Sequence, residues 1–150
     1  MPPLSRWMLR LALLYLVVGS GFGAWRLAAP ATGLPDAGFL GPVHRDLMLF
    51  GWLTHLALGT GYWILPRLAG PEPRGSSRLA WLSFAFLTAG IVLSALAATG
   101  GPPGPPALSP AIGRAASGLG IAGFVRLLWP RVRPFGSGSG EWGKSRQTGG

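Results

Sequence analysis

The sequence predicts an all-α membrane protein, a four-helix transmembrane bundle with both termini cytoplasmic. Three observations carry that prediction. Only 11% of the 150 residues are charged and 49% are hydrophobic, whereas soluble domains carry roughly 25% charge; mean hydropathy is +0.40. Four apolar segments recur, each close to the ~20 residues that cross a hydrocarbon core of ~30 Å. Between them stand stretches rich in Pro, Gly and polar residues that cannot continue a helix. The chain has no cysteine, which excludes disulfides, thiolate metal sites and thiol catalysis. Its net charge of +9 does not mark a nucleic-acid binder, because the 13 basic residues are scattered between apolar runs rather than gathered into a stripe.

The first span is expected near residues 7–27, "WMLRLALLYLVVGSGFGAWRL", with Arg10 close enough to the end to snorkel. A cleaved signal peptide is the rival reading, since Arg6 and Arg10 precede the run and "AAPA" follows it; the run is longer than a usual signal core and ends in Trp25–Arg26. The turn-rich "APATGLPDAGFLGP" leads to the second span, near 46–66. The third, near 79–99, contains no charge and follows the polar loop "RLAGPEPRGSSR". After "GGPPGPPALSP" comes the fourth, near 108–129, whose Arg114 and Arg126 lie within reach of an interface and whose Trp129 suits the aromatic belt. Its Gly113, Ser117, Gly120 and Gly123 predict a close helix–helix contact. Residues 1–134 thus form one membrane domain, and 135–150, "GSGSGEWGKSRQTGG" in large part, read as a flexible tail.

Orientation follows from the basic residues. The N-terminus, the 67–78 loop and the C-terminal segment hold ten of them, against Arg26, Arg45 and Arg114 on the other side. Such a bias places both termini in the cytoplasm. His44 then lies near the outer face and His55 near mid-membrane.

These are the only histidines. On a regular helix, eleven residues turn the chain by about 1100°, so the two share a face ~16.5 Å apart along the axis. Met48, Gly51, Gly59 and Tyr62 fall on the same stripe. Two imidazoles that far apart cannot ligate one metal ion, but they could bracket something large and flat, and the glycines make room for a macrocycle or for a neighbouring helix. The plainer reading of His55 is a hydrogen bond to a carbonyl or hydroxyl on another helix. Asp46 reads first as a helix cap, favoured by the helix dipole, and only secondarily as a proton-uptake group.

The stretch "GPVHRDLMLFGWLTHLALGTGYWILPR" resembles the second transmembrane helix of heme-copper oxidase subunit I, above all in cbb-type oxidases, nitric oxide reductases and small subunit I-like proteins. His44, Phe50, Gly51, Gly59, Tyr62 and Pro66–Arg67 stand at matching places, and "LALLYLVVGSGFGAWRL" is similar to the first helix. The resemblance covers about residues 7–67 and implies that His44 is an axial ligand of a low-spin heme b. His55, Gly51 and Tyr62 would line the same face, and Arg45 or Arg26 would pair with heme propionates. The small relatives often carry a second histidine two residues after the first; here that place is Asp46.

A complete oxidase or reductase subunit I has many more helices and needs several further histidines for its second heme and its copper or iron. Two histidines cannot build such a centre, so no copper site is expected, nor oxygen or nitric oxide reduction by this chain alone. Met48 approaches from the same helix as His44 and cannot complete a heme ligand pair with it; Met8 is conceivable but lies near the cytoplasmic side, far from His44. A two-fold homodimer sharing one heme, or a five-coordinate heme, would meet that need. The first expectation is therefore a heme b protein of a respiratory complex in the bacterial inner membrane, serving electron transfer or heme handling. The second is a cofactor-free accessory or assembly subunit of a terminal oxidase or nitric oxide reductase. A proton or small-solute carrier is a weaker third.

Overall fold

The computed structural model describes residues 1–33, 35, 38–68, 71–99 and 110–132. Among these, every regular element is helical: α1 (Pro3–Thr32), α2 (Leu40–Asp46), a π segment (Leu47–Thr54), α3 (His55–Ile64), α4 (Ser77–Ala98) and α5 (Pro110–Leu128), closed by a 3-10 turn at Trp129–Arg131. The backbone stays right-handed helical through both ends of the π segment, so α2, the π segment and α3 form one rod. The described residues therefore make four rods. Three of them, Pro3–Thr32, Ser77–Ala98 and Pro110–Arg131, are long and apolar enough to cross a membrane. The tail expected at 135–150 lies outside the described residues.

Several boundaries differ from expectation, for local reasons. The first helix outruns 7–27 at both ends. Pro3 tolerates the first helical position because its missing N–H has no partner there anyway. Pro30 falls in the last turn, where it removes little of the ladder, and Gly33 then ends the helix in the left-handed region, φ 69°. The second rod starts at Leu40 rather than 46, with Pro42 in its first turn. Asp46 consequently sits inside the rod and is not its cap. Ser76 caps α4, its hydroxyl accepting the Leu79 N–H at 3.5 Å.

The rods pack as two hairpins: α1 runs along α2, the π segment and α3, while α4 and α5 form the tightest pair; α4 also touches α2 and the π segment. The small residues of α5 do make the predicted close contact, and its partner is α4. A Cβ added to Gly90 would stand 2.5 Å from the Gly113 carbonyl oxygen, and one on Gly113 would stand 2.5 Å from the Ser94 nitrogen. Backbone therefore meets backbone, as membrane helices favour. Polarity is inverted relative to a soluble bundle. Ser5, Asp46, His55, Ser83, Ser94, Ser117 and Arg131 are buried, while Val17, Leu27, Leu119 and Trp129 point outward. An apolar exterior around a partly polar interior suits hydrocarbon surroundings.

Candidate functional site

His44 lies in a groove on α1. Gly19 and Gly23, one turn apart, leave the helix surface bare, and the imidazole fills that space: a Cβ on Gly23 would stand 2.8 Å from its Cε1 and 3.0 Å from its Nδ1. Nδ1 is 2.7 Å from the Gly19 carbonyl oxygen. A carbonyl can only accept, so Nδ1 carries the proton and donates it, leaving a lone pair on Nε2. The ring is half-buried. Three elements of this seat, Gly19, Gly23 and the carbonyl, were not singled out from sequence; the small residues spaced by four in "GSGFG" were the available signal.

The charged residues of this end link the first and second rods to the fourth. Asp46 is almost wholly buried and its Oδ2 accepts from Arg114 Nε at 3.2 Å and Nη2 at 3.1 Å, joining α2 to α5. Arg114 is therefore an ion-pair partner as well as an interfacial side chain. Arg45, with 61% of its side chain exposed, reaches Asp46 Oδ1 only at 3.9 Å. Arg26, exposed on α1, lies over Gly41, where a Cβ would stand 2.7 Å from one guanidinium nitrogen. The three minority arginines thus gather at the His44 end of the bundle.

His55 does not share an open face with His44. Both rings turn toward α1, His44 onto Gly19 and Gly23 and His55 onto Tyr15, and across Leu47–Thr54 the wider π turn changes the rotation per residue. Leu47, Gly51, His55 and Gly59, each four residues apart, are all buried as a result. Thr54 Oγ1 donates to the Leu49 carbonyl at 2.7 Å and His55 Nδ1 to that of Phe50 at 3.0 Å, both five residues back. Since Nδ1 holds the proton, His55 Nε2 accepts from Thr88 Oγ1 of α4 at 3.2 Å. The ring also meets Tyr15, centroids 5.3 Å apart, and Phe84 edge-on at 6.0 Å. Fully enclosed, with both nitrogens engaged, His55 takes the plainer of its two expected roles. Tyr15 and Thr88 were not anticipated as its partners, because nothing in a periodic pattern says which helix lies opposite.

The room expected over Gly51 and Gly59 is taken by this chain's own first helix. A Cβ on Gly51 would stand 2.7 Å from Tyr15 Cγ, and one on Gly59 would stand 2.8 Å from Met8 Cβ. Of the two occupants allowed from sequence, macrocycle or neighbouring helix, the helix is the one present. Tyr62 lies at the far end from His44, beneath the Arg131 guanidinium, 5.5 Å from its ring centroid. Arg131 is fully buried; it donates to the carbonyls of Pro66 at 3.0 Å, Tyr62 at 3.1 Å and Leu65 at 2.7 Å. It thereby caps α3 from the end of the fourth rod. Sequence reasoning counted Arg131 only as a cytoplasmic charge and missed this bond set.

Among the described residues no cluster of three or more His, Cys, Asp or Glu side chains could hold a metal ion. No curated protein and no solved structure matches the chain. A family model does: "Cytochrome C and Quinol oxidase polypeptide I" matches residues 4–132. That match reaches well past the first two helices on which the sequence resemblance rested. With four apolar rods, an imidazole seated near one end of the second, and a match over most of its length, the chain belongs to the heme-copper oxidase subunit I family.

Proposed function

We propose that this chain is a heme b-binding membrane protein in which His44 is the axial ligand. It would serve electron transfer or heme handling in a respiratory assembly of the bacterial inner membrane, with both termini cytoplasmic. The observation that carries this reading is the His44–Gly19 hydrogen bond of 2.7 Å. Histidines that bind metals almost always donate their other ring N–H to a carbonyl, carboxylate or water, which fixes the tautomer and raises the basicity of the ligating nitrogen. Here that bond leaves Nε2 available and holds the ring in its groove.

The residues fit the group as one half of a low-spin site. Gly23 admits the imidazole plane, and Arg26 and Arg45 supply guanidinium groups for propionate carboxylates. Heme, when bound, supplies a one-electron redox centre. What the chain contributes is orientation of one axial nitrogen, charge at the propionate end and an apolar wall against water. His55, Gly51 and Tyr62 are engaged inside the fold, and that observation favours the second reading, a cofactor-free accessory or assembly subunit. Reduction of oxygen or nitric oxide by the isolated chain is not proposed, since two histidines cannot furnish both a heme pair and a metal centre.

The test is a visible spectrum of the purified, detergent-solubilised protein, oxidised and then dithionite-reduced. A Soret band with sharp reduced α and β bands, lost in His44→Ala while the helical content persists, is the expected result. Colourless protein after expression with ample heme would overturn the heme reading and leave the accessory subunit.

A further inference from the structure

A low-spin heme takes two axial donors, one from each face of the ring. The chain holds two histidines, three methionines and no cysteine. His55 has both nitrogens engaged. Met1 precedes α1 and Met8 is fully buried against Gly59, both toward the opposite end of α1 from the His44 groove. Met48 lies on Gly19, and it belongs to the same rod as His44, so it reaches only the face that His44 already takes. Among the described donors, His44 Nε2 alone remains for such an iron.

We infer that the second axial ligand is His44 of a second copy of this chain, so that one heme is shared across a two-fold axis. The inference rests on the heme reading above. Symmetry favours it, because a two-fold axis through the iron sets identical imidazoles on opposite faces of the ring without requiring any other donor. The surface beside the groove is open to a second copy. Ser20, Gly21 and residues 24–28 of α1 are all exposed, with Trp25 and Leu27 forming apolar surface there. A Cβ on Gly21 would meet nothing within 4 Å. Charge agrees as well. Each copy brings Arg26 and Arg45, so two copies would surround the two propionates with four guanidinium groups; among the described residues Arg45 has a distant carboxylate, Asp46 at 3.9 Å.

The experiment uses the full chain, expressed with heme and purified in detergent. Heme per chain, particle mass by light scattering and spin state by electron paramagnetic resonance are measured on the same sample. The expected result is one heme per two chains, a dimer and a low-spin signal with two nitrogenous axial ligands. Co-expression of wild type with a differently tagged His44→Gly chain should yield mixed dimers whose heme is high-spin and turns low-spin on adding imidazole. One heme per chain, low-spin heme on a monomer, or low-spin heme unchanged in the mixed dimers would overturn the sharing while leaving the heme reading intact. Absence of heme from the wild type would overturn both.

Discussion

The Asp46–Arg114 pair allows a prediction whose asymmetry comes directly from burial. Asp46 has 3% of its side chain exposed and Arg114 has 38%. Replacing Arg114 by Met strands a carboxylate inside the bundle. Breaking a buried pair in this way typically costs about 3–5 kcal/mol; with Arg45 Nε 3.9 Å from Oδ1 as a partial substitute, about 2–3 kcal/mol is expected by the same principle. Asp46→Asn strands the arginine instead, and that long, partly exposed side chain can turn its head toward the interface. The loss should then be close to that of a hydrogen bond, about 1 kcal/mol. Unfolding in mixed micelles by dodecyl sulfate titration, followed by tryptophan fluorescence, measures both variants. Asp46→Leu combined with Arg114→Met should recover most of the loss, because a packed apolar pair avoids desolvating either charge. Equal costs for the two single variants, or a double-mutant cycle without coupling, would refute the account of a buried carboxylate held by one guanidinium.

Other substitutions test separate contacts in the same way. Gly90→Ala should cost about 1–3 kcal/mol by forcing α4 and α5 apart, whereas Gly21→Ala, with nothing within 4 Å of the new methyl, should be neutral or stabilising; the same titration separates them. Arg131→Lys keeps the charge but not the planar fork that serves three carbonyls, so hydrogen exchange should quicken at the C-terminal end of α3 while the bundle stays folded. Thr88→Val removes the donor to His55 Nε2 and should lower stability by about 0.6 kcal/mol, the average for such bonds between membrane helices. If His55 were itself an iron ligand, Thr88→Val would shift the heme spectrum; we expect no shift.

How much was legible in the sequence follows from which forces are local. The spans were visible because crossing a bilayer demands a run of apolar residues, a property of consecutive letters. The α5 contact was visible for a similar reason: Gly113, Ser117 and Gly120 lie on one side of a regular helix. Helix ends were less so, since Pro30 and Pro42 read as breaks and yet lie within helices: Pro42 stands in a first turn, where its missing N–H has no helical partner, and Pro30 in a last turn, where a single ladder bond is forgone. The shared side of His44 and His55 was legible from helical spacing, since both meet α1; that this side is closed by α1 itself was not, because periodicity does not say what lies opposite.

Sequence by itself determined that this is a helical membrane protein similar to heme-copper oxidase subunit I, and it singled out His44 as the expected ligand. Only the tertiary structure decided what each polar side chain meets. It turned Asp46 from a cap into the partner of Arg114, closed His55 between Phe50 and Thr88, filled the space over Gly51 with Tyr15, and gave Arg131 to the end of α3. The physical reason is common to all four. A polar group excluded from water must find its partner across the bundle, and which helix lies opposite depends on packing between segments distant in the chain, not on the letters beside it.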